Sequence, residues 1–248
     1  MSQFLQSLAD NAAFLLACLA VFAGLILIAW AAERFFLPSH RKLSPARTVS
    51  FVAIFAALGG ALMFFEIPLF FAPSFYEMDL SELPVLICTF YLGPVAGVVC
   101  EFLKVVIKLL LKGTSTAFVG DFANFVVGCA MVLPASMIYH AQKSKKTALI
   151  GLGVGTVVMT VFGSAFNALY LIPKFAQLFH MPLDAIIAMG TEVNASIHSV
   201  WTLVLFAVVP FNLLKGVVVS ALTLLLYKRV ERLFFRSSAP SAQAHTSL

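Results

Sequence analysis

Charge is scarce in this chain. Of its 248 residues only 11% are Asp, Glu, Lys or Arg, against about 25% in an ordinary soluble domain. Histidine is equally thin, with five residues scattered at 40, 140, 180, 198 and 245, and that scatter argues against a metal site. The four cysteines, at 18, 88, 100 and 129, fall in apolar segments with no metal or redox spacing; they read as small packing residues. There is no GxxxxGK[ST] phosphate loop and no HExxH helix, which leaves the chain no visible means of hydrolysing ATP itself and none of the signatures of a membrane hydrolase. The first eleven residues lack the basic region of a cleaved signal peptide.

What is abundant is apolar. Hydrophobic residues make up 61% of the chain, and the mean hydropathy is +1.01. Apolar runs recur along the whole length, as in a polytopic all-α membrane protein. Seven segments can be drawn, at about 12–33, 49–67, 82–93, 95–111, 119–139, 148–170 and 201–227. The third is short, and Gly93–Pro94 separates it from the fourth. Proline removes a donor and disfavours helix before it, so a break or tight turn is expected there. A short interrupted span needs protein rather than lipid around its backbone, which makes 82–111 a candidate wall of an internal site.

The formal net charge of +5 would raise nucleic acid as a partner for a soluble chain. Here the basic residues gather in short loops, and orientation in the bilayer explains them better. Arg34, Arg41, Lys42 and Arg47 follow the first span, Lys143, Lys145 and Lys146 the fifth, and Lys228, Arg229, Arg232 and Arg236 the last. Seven crossings put all three clusters in the cytoplasm, with the N-terminus outside and the C-terminus inside. The 68–81 loop and the long apolar 171–200 connection then face outward, the latter along the interface or over the outer mouth. Residues 237–248 are polar, rich in Ser and Ala, and expected to be disordered.

Against this background the polar residues inside the spans are the candidates for function. Glu101, Lys104 and Lys108 stand at i, i+3 and i+7, on one helical face. Substrate or gate contact and simple helix pairing both fit them. Asn212 and Lys215, again i and i+3, follow Pro210 in the last span; an amide and an ammonium together can read carbonyls, ring nitrogens or hydroxyls, and a ligand role is preferred over an interhelical clasp. Asn124, Asn167, Tyr170 and Asn194 are further candidates. Asp121 reads first as a helix-start acid. Glu66, Glu77, Asp79 and Glu82 rim the outer side, and the stiff aromatic stretch Ile67–Phe75, containing Phe70 and Phe71, suits a cover. Ala53, Ala57 and Ala61 repeat every four residues, a small-residue stripe that lets another helix approach closely.

Several stretches in this order resemble one family. They are Phe65–Glu66–Ile67–Pro68, Asp79–Leu80–Ser81–Glu82–Leu83–Pro84, Leu92–Gly93–Pro94–Val95–Ala96–Gly97, Glu101–Phe102–Leu103–Lys104, Gly120–Asp121–Phe122–Ala123–Asn124–Phe125 and Pro210–Phe211–Asn212–Leu213–Leu214–Lys215–Gly216. Together they resemble the substrate-binding membrane subunit, or S component, of an energy-coupling factor (ECF) transporter, and more narrowly the riboflavin-specific one. The resemblance implies a six-helix bundle over 48–236, preceded by an additional transmembrane helix and basic loop over 1–47. It implies a non-enzymatic subunit of the cell membrane that takes riboflavin from outside. The partners implied are a transmembrane coupling subunit of the EcfT type and two cytoplasmic ATPases, with no catalytic cofactor and no nucleic acid. It implies ligand contacts at Asn167, Asn212 and Lys215, with Glu101, Lys104, Asn124 and Tyr170 beside them. An outer gate would contain Glu66, Phe70, Phe71, Glu77 and Asp79, and Ala53, Ala57 and Ala61 would meet the coupling subunit. The chain departs from the pattern in its additional first helix, in Asp121 where glutamate is expected, and in Val105 where asparagine is expected. An S component for another small vitamin or precursor, or a solitary ion-coupled carrier, are the competing readings.

Overall fold

The computed structural model describes residues 12–36, 44–73 and 75–234. The expected tail over 237–248 and the basic residues Arg41, Lys42 and Arg236 lie outside the described residues. Ten helical segments and one small hairpin follow in order. Helix α1 is Ala12–Phe36 and α2 is Pro45–Leu62. A two-residue antiparallel hairpin, β1 (Ile67–Pro68) and β2 (Glu77–Met78), comes next, with Ile67 opposite Met78. Then come α3 (Glu82–Leu92), α4 (Pro94–Lys112), α5 (Val119–Ala141) and α6 (Lys145–Phe166). A π-helical turn, Asn167–Leu171, joins α6 to α7 (Ile172–Leu178), and α8 is Leu183–Val193. A second π-helical turn, Val204–Val208, joins α9 (Val200–Leu203) to α10 (Val209–Phe234).

Five continuous helices are long and apolar enough to cross a membrane: Phe14–Phe35, Pro45–Leu62, Val119–Ala141, Lys145–Leu178 and Val200–Val230. Two of the seven segments drawn from the sequence differ for physical reasons. Helix α3, at 11 residues, is about 16 Å long, half of a hydrocarbon core of about 30 Å. Helix α4 has 19 residues but carries Glu101, Lys104 and Lys108, too many charges for an ordinary lipid-facing span. Large apolar side chains cover the outside of the bundle, including Leu149, Val157 and Val161 on α6 and Leu16, Leu27 and Trp30 on α1. Such a surface belongs in lipid, so the protein is a multi-pass membrane protein.

The break expected at Gly93–Pro94 is present. Gly93 takes φ +101°, a conformation that favours glycine, and Pro94 opens α4 where its missing donor costs nothing. Helix α3 is buried along nearly its whole length, from Glu82 to Phe90, as an interrupted segment must be. Helix α1 docks on α4 and α5: Phe22 stacks on Phe102 at 4.1 Å, and Phe14 meets Phe122 edge-on. Glu33 of α1 accepts a hydrogen bond from the Val95 N–H at 3.0 Å, satisfying a donor that the start of α4 leaves without an intrahelical partner. The additional helix is thus locked to the bundle by a specific contact.

The 171–200 region is more helical than a connection. The helix of the sixth span runs on to Leu178, and α8 folds back so that Ile186 and Ile197 pack with Ala72, Phe71 and Tyr76 of the hairpin loop. One apolar cluster therefore closes the hairpin end of the bundle. Helices α5 and α6 approach so closely that a methyl on Gly151 would sit 2.7 Å from the Ala135 carbonyl oxygen, and one on Gly155 2.6 Å from that of Met131. Backbone cannot yield as a side-chain tip can, so Gly151→Ala and Gly155→Ala are each expected to cost about 1–3 kcal/mol and to lower the melting temperature in detergent by several degrees. Gly153→Ala, on the same helix with nothing within 4 Å, should hold or raise it, because alanine favours helix; thermal unfolding of the three variants checks this.

Candidate functional site

Three elements and a loop meet around a chain of charges. From α4, Lys104 Nζ lies 2.6 Å from Glu101 Oε1 and 3.1 Å from Glu82 Oε1, and it donates to Ser81 Oγ at 2.8 Å. From α10, Lys215 Nζ lies 3.0 Å from Glu82 Oε2 and 3.1 Å from Asp79 Oδ2. Asp79 Oδ1 also accepts the Ser81 N–H at 2.8 Å, the local turn that starts α3. Glu101 and Lys104 are wholly buried. Helix α2 comes close to this chain because Gly59 and Gly60 leave room: a methyl on Gly59 would lie 3.2 Å from Lys104 Cβ. On the other side, a methyl on Gly128 of α5 would lie 2.1 Å from Glu101 Oε1.

A cavity of about 170 Å³ opens beside Lys215 at the hairpin end. Its polar lining is Glu77, Asp79, Glu82, Asn124, Asn167, Asn212 and Lys215, with Tyr76; its apolar lining includes Phe75, Phe175, Phe211, Met159 and Leu171. This pairing of flat apolar surface with a few convergent polar groups is the usual form of a small-molecule site. The Asn212 Nδ2 donor and the Asn124 Oδ1 acceptor are buried and have no hydrogen-bond partner among the described residues. Such atoms cost about 1–3 kcal/mol each while unsatisfied. Asn167 is placed by its Nδ2 donating to the Gly163 carbonyl at 2.8 Å, and its Oδ1 accepts from the Tyr76 hydroxyl at 2.8 Å. That second bond ties the hairpin loop to a cavity wall.

The loop has its own electrostatics. Burial pushes the Asp79 carboxyl up, but Lys215, Lys104 and the Ser81 bonds outweigh it and hold the group below the usual carboxylate range. Burial raises the Tyr76 hydroxyl. Glu77 is raised by desolvation and by neighbouring Glu66, against the pull of Lys112. Glu66 itself pairs with Lys112 at the end of α4.

Among the residues singled out in the sequence, Asn124, Asn167, Asn212, Lys215, Glu77 and Asp79 come together on the cavity. Glu101 and Lys104 stand behind it, holding Glu82. Lys108 pairs with Asp121 in the first turn of α5. Asp121 therefore works as an ion-pair partner, and the Phe118 and Gly120 amides at that helix start bond to Thr114 and Thr116. Tyr170 does not line the cavity; it stacks on Phe166 at 5.2 Å. Asn194 terminates α8 and accepts the Ser196 N–H. Phe70 is 92% exposed, and Phe71 packs into the apolar cluster beneath it. Ala53, Ala57 and Ala61 share an exposed face of α2, opposite its buried Gly59 and Gly60.

Sequence reasoning did not single out Tyr76, Phe175, Phe211 or Met159. Tyr76 adjoins Glu77, a signal that was present; nothing local marks the other three apart from any other apolar residue of a span.

Comparison with known proteins agrees with this geometry. The family described as "ECF transporter, substrate-specific component" matches residues 47–227. The riboflavin transporter RibU of Staphylococcus aureus (strain TCH60) is 32% identical over 193 residues, covering 77% of this chain and 95% of that protein. The riboflavin transporter FmnP of Bacillus subtilis (strain 168) is 27% identical, over 73% and 90%. A solved structure described as the S component of a bacterial ECF transporter superposes with a TM-score of 0.59 at 29% identity, covering 75% of this chain and 96% of that one. With its matched region beginning just after α1, the chain belongs to the substrate-specific components of ECF transporters.

Proposed function

We propose that this chain captures riboflavin at the hairpin end of the bundle, facing the outside, and delivers it inward within an ATP-driven ECF complex. The observation that carries the reading is the cavity in which the Asn212 donor and the Asn124 acceptor stand buried without protein partners, beside Asn167 and Lys215. A flavin ring offers carbonyls and ring nitrogens to such groups and a flat face to Phe75, Phe175 and Phe211. The relatives' printed substrate supports the same ligand. There is no bond-making step: the chain's work is to desolvate, orient and release.

In this reading Asn124, Asn167, Asn212 and Lys215 contact the ligand, while Glu101 and Lys104 hold Glu82 in place behind it. Tyr170 supports the wall through Phe166. The gate is the hairpin loop with Glu66, Phe70, Phe71, Glu77 and Asp79. The cavity is smaller than the roughly 300–1,000 Å³ of typical small-molecule sites, so the loop must lift to admit a flavin. The Tyr76–Asn167 hydrogen bond is the latch that must yield, and a bound ring would compete for the same amide.

The six-helix core in this reading comprises α2, α3, α4, α5, the continuous α6–α7 and the continuous α9–α10, with α1 as an additional span at its side. Helix alternation puts Arg34, Arg47, Lys145 and Lys228 at the end opposite the hairpin, and the positive-inside tendency makes that end cytoplasmic. The N-terminus is then outside and the C-terminus inside. The exposed alanine face of α2 is the surface for an EcfT-type coupling subunit, which links the chain to two ATPases. Helix α1 sits on α4 and α5 and leaves that alanine face clear.

Three measurements test this. Gently purified protein should carry the absorbance of bound flavin, and a colourless protein that takes up no added riboflavin would defeat the proposal. Asn212→Ala should weaken riboflavin about tenfold or more, the worth of a lost buried hydrogen-bond partner, in a fluorescence-quenching titration; unchanged affinity would show the ligand is elsewhere. Ala57→Trp should retain binding in detergent yet abolish ATP-driven uptake in vesicles holding the complete complex. Full uptake by that variant would exclude the α2 face as the coupling surface.

A further inference from the structure

Charge around the cavity is unevenly matched. Among the described residues that line it, three are carboxylates, Glu77, Asp79 and Glu82, and Lys215 is the only ammonium. Lys215 is already committed to both Asp79 and Glu82, at 3.1 and 3.0 Å. Lys104, the next cation inward, is committed to Glu82 and Glu101. At the hairpin the same imbalance recurs. Glu77 lies beside Glu66, and the nearby ammonium, Lys112, pairs with Glu66. The start of α5 reaches the cavity at Gly120, where a helix N-terminus would favour an anion, but Asp121 already stands in that first turn. Glu77 is the solvent-exposed carboxylate of the lining, while Asp79 and Glu82 are buried.

We propose that this acidic lining, with Glu77 at its open edge, makes the site selective for an uncharged polar flavin over its phosphorylated form. The inference rests on the flavin reading above and adds the feature that chooses among flavins. A phosphomonoester carries about −1.5 to −2 charges at neutral pH. To bind, it must exchange water for positive partners such as Arg, Lys or a helix N-terminus. Turned inward, it meets Asp79 and Glu82 with their lysines occupied. Turned toward solvent, it meets Glu77. Either orientation sets like charges together in a site that desolvation makes less screened than water. Hydroxyl groups, by contrast, donate to carboxylates, so the same lining that repels a phosphate welcomes a sugar alcohol chain. Discrimination thus comes from an element of repulsion as well as from attraction.

The test measures dissociation constants of riboflavin and riboflavin 5′-phosphate for the unaltered full chain and for Glu77→Gln, by quenching of flavin fluorescence at low and high salt. The unaltered chain should bind the phosphate form about tenfold or more weakly. In Glu77→Gln the ratio of the two constants should fall by about threefold or more. On the unaltered chain alone the ratio should also shrink as salt screens the repulsion, a readout that survives if the variant does not fold. Equal affinity for both flavins, or a preference that neither the variant nor salt alters, would overturn the inference and leave flavin binding standing. If neither flavin binds, the proposed substrate fails and the selectivity argument fails with it.

Discussion

The fold depends on a buried chain of alternating charges: Glu101, Lys104, Glu82, Lys215 and Asp79. These residues come from α4, α3, α10 and the loop that ends the hairpin, so one electrostatic cluster fixes three helices and a loop in mutual register. Desolvation makes such a cluster a poor source of net stability, and well-packed apolar residues would serve as well or better. Removing a single member would be another matter, leaving an uncompensated charge at a cost of about 3–5 kcal/mol. A bundle that needed only cohesion would have no reason to place these groups in its centre. Here the cluster presents Lys215 to the cavity in a fixed position and lets Asn212, one turn away on α10, share the same wall.

Much of this was legible in the residue order. The i, i+3, i+7 spacing of Glu101, Lys104 and Lys108 announced a polar face, and Asn212 with Lys215 announced another. Their partners were not legible. Glu82 and Asp79 meet Lys215 across more than a hundred residues of chain, and ion pairs of that reach are set by packing. Spacing misled at Tyr170, three residues from Asn167: in a regular helix the two share a face, but the π-helical turn over Asn167–Leu171 widens the spiral and puts Leu171 on the cavity with Asn167. The end of the sixth span misled too. Pro173 suggested a stop near 170, yet the helix continues to Leu178.

Helix α1 lies before the region shared with the family, yet its attachment is specific. Its Glu33 serves the exposed start of α4 at Val95, and its Phe22 fits between Phe102 and Phe125. Helix α4 is the backbone from which Glu101 and Lys104 project, so the added helix steadies the rear of the charged cluster while the faces of α2 and α10 stay uncovered by it.

The two π-helical turns share one relation to proline. Each ends two residues before it, Leu171 before Pro173 and Val208 before Pro210, and in each the next amide reaches back five residues, Ile172 to Asn167 and Val209 to Val204. The wider loop relieves the clash that proline imposes on the preceding turn. It also makes the wall sensitive to counting. Loss of one residue from either turn would restore ordinary α pairing and swing the helix beyond it by roughly 100°, carrying Asn212 and Lys215 off the cavity in one case and Phe175 in the other. Side chains along these helices have room to drift over evolutionary time, but the number of links between their ends does not.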